Sequence, residues 1–322
     1  MLRRALPAPL AGHRPRPARH VPAGPGRTGG AYAGGMTDAR RGQVAGLPDF
    51  GRCAVMGVVN VTPDSFSDGG LWFDSAAAIK HGIDLVATGA DIVDVGGEST
   101  RPGAPRVDED EELRRVLPVV RGLAAEGVLV SVDTMRATVA ERAVAAGARL
   151  VNDVSGGQAD PAMVPAVAAA GVPFVVMHWR GQSIDMNNRA LYEDTVTEVV
   201  DELRRSLDRA VAGGIGFERI IADPGLGFAK AAPHDLVLLN SLARLRAELG
   251  RPLLVAASRK RFLGRVLAGP DGSPPPARER DAATAAVSAI VAREGAWAVR
   301  VHEVRPTADA VRVASALEGR EA

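Results

Sequence analysis

The decisive stretch of this sequence reads VMGVVNVTPDSFSDGG and covers residues 55–70. Its first part, Val55 to Val59, is an apolar run typical of a buried strand. The residues after Asn60 are rich in hydroxyl and carboxyl groups, and the next helix is predicted to begin only near Asp74. A plain strand-to-helix connection needs about 2 to 6 residues. The long polar loop therefore predicts a functional site at the end of this strand.

The alternation of apolar runs and amphipathic stretches continues to the end of the chain. Eight runs rich in Val, Ile and Leu are predicted as strands, near residues 53–59, 90–95, 128–132, 150–154, 173–177, 220–222, 253–257 and 298–301. The stretches between them carry ordinary helix signals, such as Gly127 and Gly147 at predicted helix ends. Strand–helix units in this number, over about 270 residues, predict an α/β fold, a (β/α)8 TIM barrel spanning residues 49–322.

An open, doubly wound α/β sheet is the alternative to the barrel. Sheets of that kind that bind dinucleotides carry a G-x-G-x-x-G turn after a strand. None of the predicted strands in this sequence is followed by such a turn. The barrel therefore remains the predicted architecture.

Polar or charged residues follow every predicted strand. In chain order they include Asn60, Asp94, Asp133, Asn152, His178, Asp223, Lys260 and Arg300. Barrel enzymes carry their active sites at the C-terminal ends of the strands. A single residue of this kind has an ordinary explanation, such as a helix cap or a buried histidine. Their occurrence at all eight strand ends favours an active site over a purely structural barrel.

The composition bounds the classes of function. Basic and acidic residues are nearly equal in number, 39 and 38, which gives no electrostatic reason to expect nucleic acid or an anionic membrane as a partner. Cys53 is the only cysteine, so neither an intramolecular disulfide nor a thiolate metal cluster is possible. The composition predicts a cytoplasmic enzyme or binding protein that acts on small molecules.

Residues 1–48 differ from the rest of the chain. They are rich in Pro, Gly, Ala and Arg, with six Arg and no acidic residue before Asp38. Such a segment cannot bury enough apolar surface to offset the entropy of ordering, so we predict a disordered tail. An organelle transit peptide is one alternative, although serine is absent from the first 35 residues. A true start at Met36 is the other.

The motifs at the strand ends resemble those of a known family. In order they are NVTPDSFSDGG (60–70), DVGGESTRPG (94–103), SVDT (131–134), NDVSGG (152–157), DPGLGFAK (223–230), SRKRFLG (258–264) and RVHEV (300–304). With these motifs the chain resembles the dihydropteroate synthase family of pterin-binding barrels. Members of that family join 6-hydroxymethyl-7,8-dihydropterin diphosphate to 4-aminobenzoate and release pyrophosphate in the folate pathway. The resemblance implies the same transferase reaction here.

The resemblance also implies roles for individual residues. Those expected to bind the pterin are Asp133, Asn152, Asp223 and Lys260, with apolar walls from Val154, Met177 and Phe228. Those expected to meet the pyrophosphate are Thr100, Arg101, Arg300 and His302, together with Mg2+ held by Asn60. The pocket for 4-aminobenzoate is expected to contain Phe66, Asp68, Arg101, Pro102 and Ser258. Catalytic roles are expected for Asp68, Arg101, Lys260, Arg300 and His302.

The implied reaction needs electrostatic stabilisation more than proton transfer. An arylamine is neutral near neutral pH and already nucleophilic, whereas the leaving pyrophosphate needs its growing negative charge neutralised. We therefore expect dissociation toward a cation stabilised by the pterin. Asp223 suits the pterin because a carboxylate can accept two parallel N–H donors from the edge of its pyrimidine ring.

Two long loops are predicted to close over the substrates. They cover residues 62–70 and 98–107, and both contain Gly and Pro as candidate hinges. The family is typically dimeric, and the predicted helices at 281–293 and 307–317 are rich in Ala and Val, which suits the surface of a homodimer. The chain departs from the family pattern at Ala229 and Ala256, where Gly is frequent.

Two further readings of the motifs stay open as alternatives. A corrinoid-linked methyltransferase domain also binds a folate pterin in a barrel, but it lacks the NVTPDSFSDGG loop and the SRK triplet. A non-catalytic paralogue that binds pterin should have lost residues of the loops or of the anion site. The ESTRPG, SRK and RVH motifs are intact in this sequence, which favours the enzyme.

Overall fold

Eight parallel strands form the centre of the computed structural model, which describes residues 42–62, 75–99, 106–181 and 189–319. The strands within these ranges are β1 (Ala54–Asn60), β2 (Ile92–Gly96), β3 (Val130–Asp133), β4 (Leu150–Asp153), β5 (Phe174–Met177), β6 (Ile220–Asp223), β7 (Leu254–Val255) and β8 (Ala298–Val301). All eight lie where the sequence predicted them. The largest difference is β7, which is shorter than the predicted run at 253–257.

Helices occupy the connections between the strands. In the described ranges they are α1 (Ser75–Ala87), α2 (Glu109–Ala125), α3 (Ala137–Ala145), α4 (Met163–Ala170), α5 (Thr195–Ala212), α6 (Ala232–Leu239), α7 (Leu242–Leu249), α8 (Arg261–Val266), α9 (Asp281–Arg293) and α10 (Val304–Ala316), with 3-10 turns at Phe217–Arg219 and Ala277–Arg280. Among these helices, none combines the length and the apolar character that crossing a membrane would require.

The order of the strands confirms the barrel. Neighbouring strands pair in the order β6-β5-β4-β3-β2-β1-β8-β7, and every pair is parallel. The two outer strands of this order, β6 and β7, are joined by a parallel bridge between Ala222 and Leu253. The backbone N–H of Ala222 also donates to the carbonyl oxygen of Pro252 at 2.9 Å. The sheet therefore returns on itself in a nearly closed (β/α)8 barrel.

Side chains alternate between the outside and the inside of the barrel, as in any strand. In β2, Val93 and Val95 belong to the apolar layer between the strands and the helices. Ile92 packs inside the barrel, and Asp94 lies on the same face of the strand. The pattern repeats in β4, where Leu150 is inside and Val151 is in the outer layer.

The interior changes from apolar to polar along the direction of the strands. Its N-terminal part is filled by Met56, Ile92, Leu150, Val175, Ile221 and Leu254. On the same inward face, the next position of β2, β4 and β6 is occupied by Asp94, Asn152 and Asp223. An apolar floor therefore supports a polar layer at the C-terminal end of the barrel, where we expect the site.

The segment before β1 covers the apolar floor. Val44 is 3% exposed and packs with the interior residues, and Leu47 and Phe50 contact the same cluster. The backbone N–H of Ala45 donates to the backbone carbonyl oxygen of Glu218 at 2.9 Å. The predicted start of the barrel domain at residue 49 therefore falls inside a packed segment. Single apolar residues without periodicity gave no sequence signal for this contact, and residues 1–41 of the predicted tail lie outside the described residues.

Two truncations should separate the tail from this packed segment. Removing residues 1–41 should leave the melting temperature unchanged. Removing residues 1–48 should lower it, because a buried Val alone contributes about 1.5 to 3 kcal/mol and the floor would lose its cover. Thermal denaturation of both truncated chains, with Val44→Ala in the full chain as a reference, measures the difference. Equal melting temperatures for the two truncations would contradict this role of residues 42–48.

Candidate functional site

Four buried polar residues meet at the C-terminal end of the barrel. Asp94, Asp133, Asn152 and Asp223 lie on β2, β3, β4 and β6, and none is more than 5% exposed. Asp133 is paired in register with Asn152, so their inward side chains are neighbours. Buried polar groups are costly unless they are hydrogen-bonded. The cluster therefore marks the polar layer as more than a packing feature.

Arg300 on β8 bridges two of these carboxylates. Its Nε donates to Asp94 Oδ2 at 2.6 Å, and its Nη2 donates to Asp133 Oδ2 at 2.6 Å. Burial raises the pKa of Asp133, and the charge of Arg300 opposes this rise only in part. The sequence predicted Arg300 as a partner of the pyrophosphate. In the structure its guanidinium group is held by Asp133, which was predicted to bind the pterin, and by Asp94.

Asp94 organises the cluster, and the sequence prediction did not include it in the site. Its Oδ2 accepts from Arg300 and also from Asn152 Nδ2, at 3.0 Å. Because the Asn152 amide group donates to Asp94, its oxygen Oδ1 is left as the acceptor end of the carboxamide. The other oxygen of Asp94 is buried and has no hydrogen-bond partner among the described residues. The available signal was its position on the inward face of β2, two residues after Ile92.

Asp223 and Lys260 form the opposite side of the polar layer. Asp223 Oδ1 accepts from the backbone N–H of Gly225 at 2.7 Å, which fixes the orientation of the carboxylate. Burial raises the pKa of Asp223, and the charge of Lys260 opposes the rise. Lys260 donates to the carbonyl oxygen of Leu226, and burial lowers its pKa to about 8. The pair supplies a carboxylate acceptor and an ammonium donor to one buried place.

The predicted apolar walls lie around this layer. Met177 is 3% exposed and pairs in register with Asp223, so it is a direct neighbour of the carboxylate. Val154 follows β4 and is 7% exposed. The Lys260 Nζ lies 4.9 Å from the centre of the Phe228 ring, a distance compatible with a cation–π contact. These three residues are therefore brought to the same end of the barrel as the polar cluster.

Ser258 and His302 form a separate pair. The Ser258 hydroxyl accepts from the backbone N–H of His302 at 3.2 Å and lies 2.9 Å from His302 Nδ1. In the tautomer that carries its hydrogen on Nε2, His302 accepts at Nδ1 from the Ser258 hydroxyl; in the other tautomer Nδ1 donates to it. Arg300 lies on β8, and His302 directly follows the end of the strand. They nevertheless contact different partners.

Asn60 is the predicted ligand of Mg2+. It ends β1 and is half-buried. Within the described ranges, no cluster of three or more His, Cys, Asp or Glu could hold a metal ion. A single carboxamide oxygen still fits Mg2+, because this ion keeps several waters and takes other ligands from substrate phosphates. The donor chemistry at Asn60 therefore fits the ion, and the role remains a prediction.

Some of the predicted site residues lie outside the described residues. They are Phe66, Asp68, Thr100, Arg101 and Pro102. The described residues on either side of the 100–105 segment are tied together by Glu98. Its carboxylate accepts from Arg106 Nε at 3.1 Å and from the backbone N–H of Val107 at 3.3 Å. Arg136 Nη1 donates to the same carboxylate at 2.9 Å. The two ends of the loop are therefore held close to the end of β2.

Ala229 adopts a left-handed backbone conformation. Its φ is +49°, which glycine adopts without strain and alanine does not. The sequence had already marked this position as a departure from the family pattern. The strain is localised in the turn between β6 and α6, which also carries Phe228.

Ala229→Gly should stabilise the protein slightly. Relief of the left-handed conformation gains about 1 to 2 kcal/mol, and the greater freedom of glycine in the unfolded chain costs about 0.4 to 1 kcal/mol. Chemical denaturation should show a small net gain in the free energy of unfolding. Ala169→Gly, at an exposed position inside α4, should show the usual loss of about 0.5 to 1 kcal/mol. Equal losses for both variants would contradict the strained conformation.

Comparisons with known proteins agree with this geometry. A family model described as pterin binding enzyme matches residues 56–302. A dihydropteroate synthase of Mycobacterium leprae is 56% identical over 263 residues, which cover 81% of this chain and 92% of that protein.

Solved structures show the same likeness. A dihydropteroate synthase of Xanthomonas albilineans with 4-aminobenzoic acid is 43% identical, with a TM-score of 0.76 over 83% of this chain and 93% of that chain. A structure from the same organism, in complex with 7,8-dihydropteroate, is 41% identical, with a TM-score of 0.73 over 83% and 94% of the two chains.

Proposed function

Since the chain belongs to the family of pterin binding enzymes, we propose that it is a transferase that makes 7,8-dihydropteroate. The substrates are 6-hydroxymethyl-7,8-dihydropterin diphosphate and 4-aminobenzoate, and the second product is pyrophosphate. The observation that carries this proposal is the buried cluster of Asp94, Asp133, Asn152 and Asp223 at the C-terminal end of the barrel. Asp133, Asn152 and Asp223 in this cluster are residues that the resemblance assigns to the pterin, and together they offer acceptors and donors to a ligand.

The cluster matches the hydrogen-bonding groups of a pterin. The pyrimidine edge of the pterin presents a ring N–H beside an amino group, and the Asp223 carboxylate can accept from both. Asn152 Oδ1 adds an acceptor, because Asp94 already takes its amide hydrogen. Lys260 donates to the acceptor atoms of the ring. Charge-assisted hydrogen bonds of this kind contribute about 1.5 to 3 kcal/mol each, which suffices for specific binding of a small heterocycle.

The leaving pyrophosphate is the second requirement of the reaction. Mg2+ at Asn60 would supply positive charge to the leaving group when it is bound. His302 directly follows β8, and in the tautomer in which Nδ1 accepts from Ser258 its Nε2 can donate to an anion. Thr100 and Arg101 keep this role as predictions from the sequence. The amine then attacks the pterin carbon, assisted by exclusion of water rather than by a strong base.

A coupled assay of pyrophosphate release tests the proposal. Release should require both the pterin diphosphate and 4-aminobenzoate, and omission of either should stop it. Binding of the pterin diphosphate with no release of pyrophosphate would favour the non-catalytic alternative. Absence of any binding would contradict both readings of the polar cluster.

The pH dependence of kcat/KM for the pterin diphosphate should be bell-shaped. As pH falls, Asp133 and Asp223, whose pKa values are raised by burial, take up protons and stop accepting hydrogen bonds. As pH rises through about 8, Lys260 loses its proton, since burial lowers its pKa to about 8. Lys260→Arg keeps a cation throughout this range, so its profile should lose the alkaline limb and keep the acid limb. An alkaline limb that is unchanged in this variant would contradict the assignment.

We also propose that the protein forms a homodimer through α9 and α10. These helices pack against each other and expose large apolar side chains, with Ile290 61%, Val313 59% and Leu317 68% exposed. Apolar groups clustered on a surface indicate an interaction site. Light scattering at micromolar concentration should give the mass of a dimer. Ile290→Glu should shift it toward the monomer, and Leu191→Glu, at an exposed residue before α5, should not. A monomer mass for the unchanged chain would contradict the proposal.

The cytoplasmic location stays a prediction from composition.

A further inference from the structure

The turn between β6 and α6 has an irregular backbone whose N–H and carbonyl groups form few hydrogen bonds with one another. Gly225, Gly227 and Ala229 have φ values of +67°, +74° and +49°, so every second residue is left-handed. This pattern does not produce the repeating hydrogen bonds of a helix or a strand. Buried backbone N–H and carbonyl groups nevertheless need partners. In this turn, one backbone contact, from the Phe228 N–H to the Gly225 carbonyl oxygen at 3.0 Å, is joined by contacts from side chains.

Five side chains bind the backbone of this turn. They are Asp223 and Asp235, which accept from Gly225 and Gly227, and Lys260, Lys230 and Tyr192, which donate to the carbonyl oxygens of Leu226, Phe228 and Ala229. Asp223 and Lys260 belong to the site described above. Lys230, Asp235 and Tyr192 are not accounted for by that site. The turn is therefore bound by residues of the site and by a second group, Lys230, Asp235 and Tyr192, which we call the outer side. This outer side has no role assigned so far.

Lys230 is the buried centre of the outer side. It is 7% exposed, and its Nζ donates to the carbonyl oxygen of Phe228 at 3.1 Å. The same Nζ lies 2.8 Å from His178 Nδ1. Because the Glu202 carboxylate can only accept, His178 carries its hydrogen on Nε2 and accepts from Lys230 at Nδ1. That hydrogen is directed to Glu202 Oε2, at 2.9 Å.

His178 is suited to this arrangement because it is neutral. Burial, reinforced by the charge of Lys230, lowers its pKa to about 4. A neutral imidazole has one donor and one acceptor, so it can join Lys230 to Glu202 without adding charge. The order of donors and acceptors is therefore consistent along the whole chain of contacts.

The chain of contacts closes on the same turn. Arg180 Nη2 donates to Glu202 at 2.6 Å, and the Arg180 guanidinium group lies 3.8 Å from the centre of the Tyr192 ring. The Tyr192 hydroxyl in turn donates to the carbonyl oxygen of Ala229 at 3.0 Å. Two successive carbonyl groups of the turn, at Phe228 and Ala229, are thus fixed by one closed cluster.

We propose that Lys230 and His178 are positioning residues for the pterin, which hold Phe228 in the orientation that its ring needs against the bound heterocycle. This inference rests on the proposed function. A buried ionisable group is a poor means of adding stability, since an apolar side chain of similar volume usually serves as well. Orientation is different, because a displaced aromatic wall loses its contacts with the bound ring and weakens binding of the pterin. The cluster fixes carbonyl groups of the turn that carries Phe228, not the packing of a helix.

Lys230→Met tests the proposal, because methionine keeps the length and burial but cannot donate. The KM for the pterin diphosphate should rise by up to about tenfold, because the bound ring loses part of its contact with Phe228. The KM for 4-aminobenzoate should change by less than about twofold, since Ser258, the described residue predicted to bind it, contacts His302 and is not a member of this cluster. Lys80→Met, at an exposed lysine of α1, is the matched control and should leave both constants unchanged. A purely structural role would lower the fraction of active enzyme and therefore kcat, without separating the two KM values.

Two variants of His178 keep the test decisive where Lys230→Met does not fold. In His178→Asn the carboxamide oxygen can replace Nδ1 as the acceptor for Lys230, so the KM for the pterin diphosphate should stay near that of the unchanged enzyme. His178→Leu offers no acceptor and should resemble Lys230→Met. Equal KM values in both His178 variants, or an unchanged KM in Lys230→Met, would overturn the inference. Failure of the unchanged enzyme to release pyrophosphate would instead count against the proposed function.

Discussion

Asp223→Asn should lower kcat/KM for the pterin diphosphate by about a hundredfold to a thousandfold, equivalent to about 3 to 4 kcal/mol. The structure explains the size of the effect. Asp223 Oδ1 accepts from the backbone N–H of Gly225. In the variant the carboxamide oxygen must keep that contact, so the new amide group turns toward the pterin. A donor would then face the two N–H donors of the substrate.

The fold should tolerate this change, since the contact with Gly225 survives. Calorimetry with the pterin diphosphate and thermal denaturation measure the two effects separately. Asp91→Asn is a suitable control, because Asp91 binds Arg52 and the backbone of Val55 near the opposite end of β2. The control should lose some stability and bind the pterin diphosphate normally. A soluble, folded Asp223→Asn variant with normal affinity would show that the pterin binds elsewhere.

Asp94→Ala should be strongly destabilising, with a loss of about 3 to 5 kcal/mol, because it removes a fully buried carboxylate and leaves half-buried Arg300 with one carboxylate partner instead of two. The amide group of Asn152 would lose its acceptor at the same time. Asn152 could then turn its amide group into the site, so affinity for the pterin diphosphate should fall as well. Chemical denaturation and calorimetry measure the two losses.

Asp94→Asn separates the shape of Asp94 from its charge. A carboxamide oxygen in the place of Oδ2 can still accept from both Arg300 and Asn152. The other oxygen has no partner among the described residues, so an amide group in its place breaks no existing contact. This variant should therefore be more stable than Asp94→Ala by about 1 to 3 kcal/mol. Equal stability of the two variants would contradict the view that Asp94 acts through these hydrogen bonds.

The strands were predictable because burial on both faces leaves a local signature. Runs such as 53–59 and 173–177 are apolar throughout, and the polar residue that ends each run marks the C-terminal face of the barrel. The start of α10 was less predictable. The helix begins at Val304 rather than near Thr307, because Pro306 is tolerated within a first helical turn.

The contacts that build the site could not be predicted from local patterns. Asp94 and Arg300 are 206 residues apart in the chain, and no local pattern records their contact. The same holds for Lys230, whose partner His178 lies on the preceding strand end. Val44 gave no signal because one apolar residue in an irregular segment has no period. Residue types at the strand ends were therefore informative, whereas their partners required the three-dimensional structure.

Mass spectrometry of the products shows directly whether the protein joins the pterin to 4-aminobenzoate. The protein would be incubated with Mg2+, the pterin diphosphate and 4-aminobenzoate labelled with carbon-13 in its ring. We expect 7,8-dihydropteroate that carries the label, formed in equal amount with pyrophosphate. With Asp223→Asn we expect almost none of either product. Pyrophosphate without labelled 7,8-dihydropteroate, or no product from a folded protein that binds the pterin diphosphate, would contradict the proposed reaction.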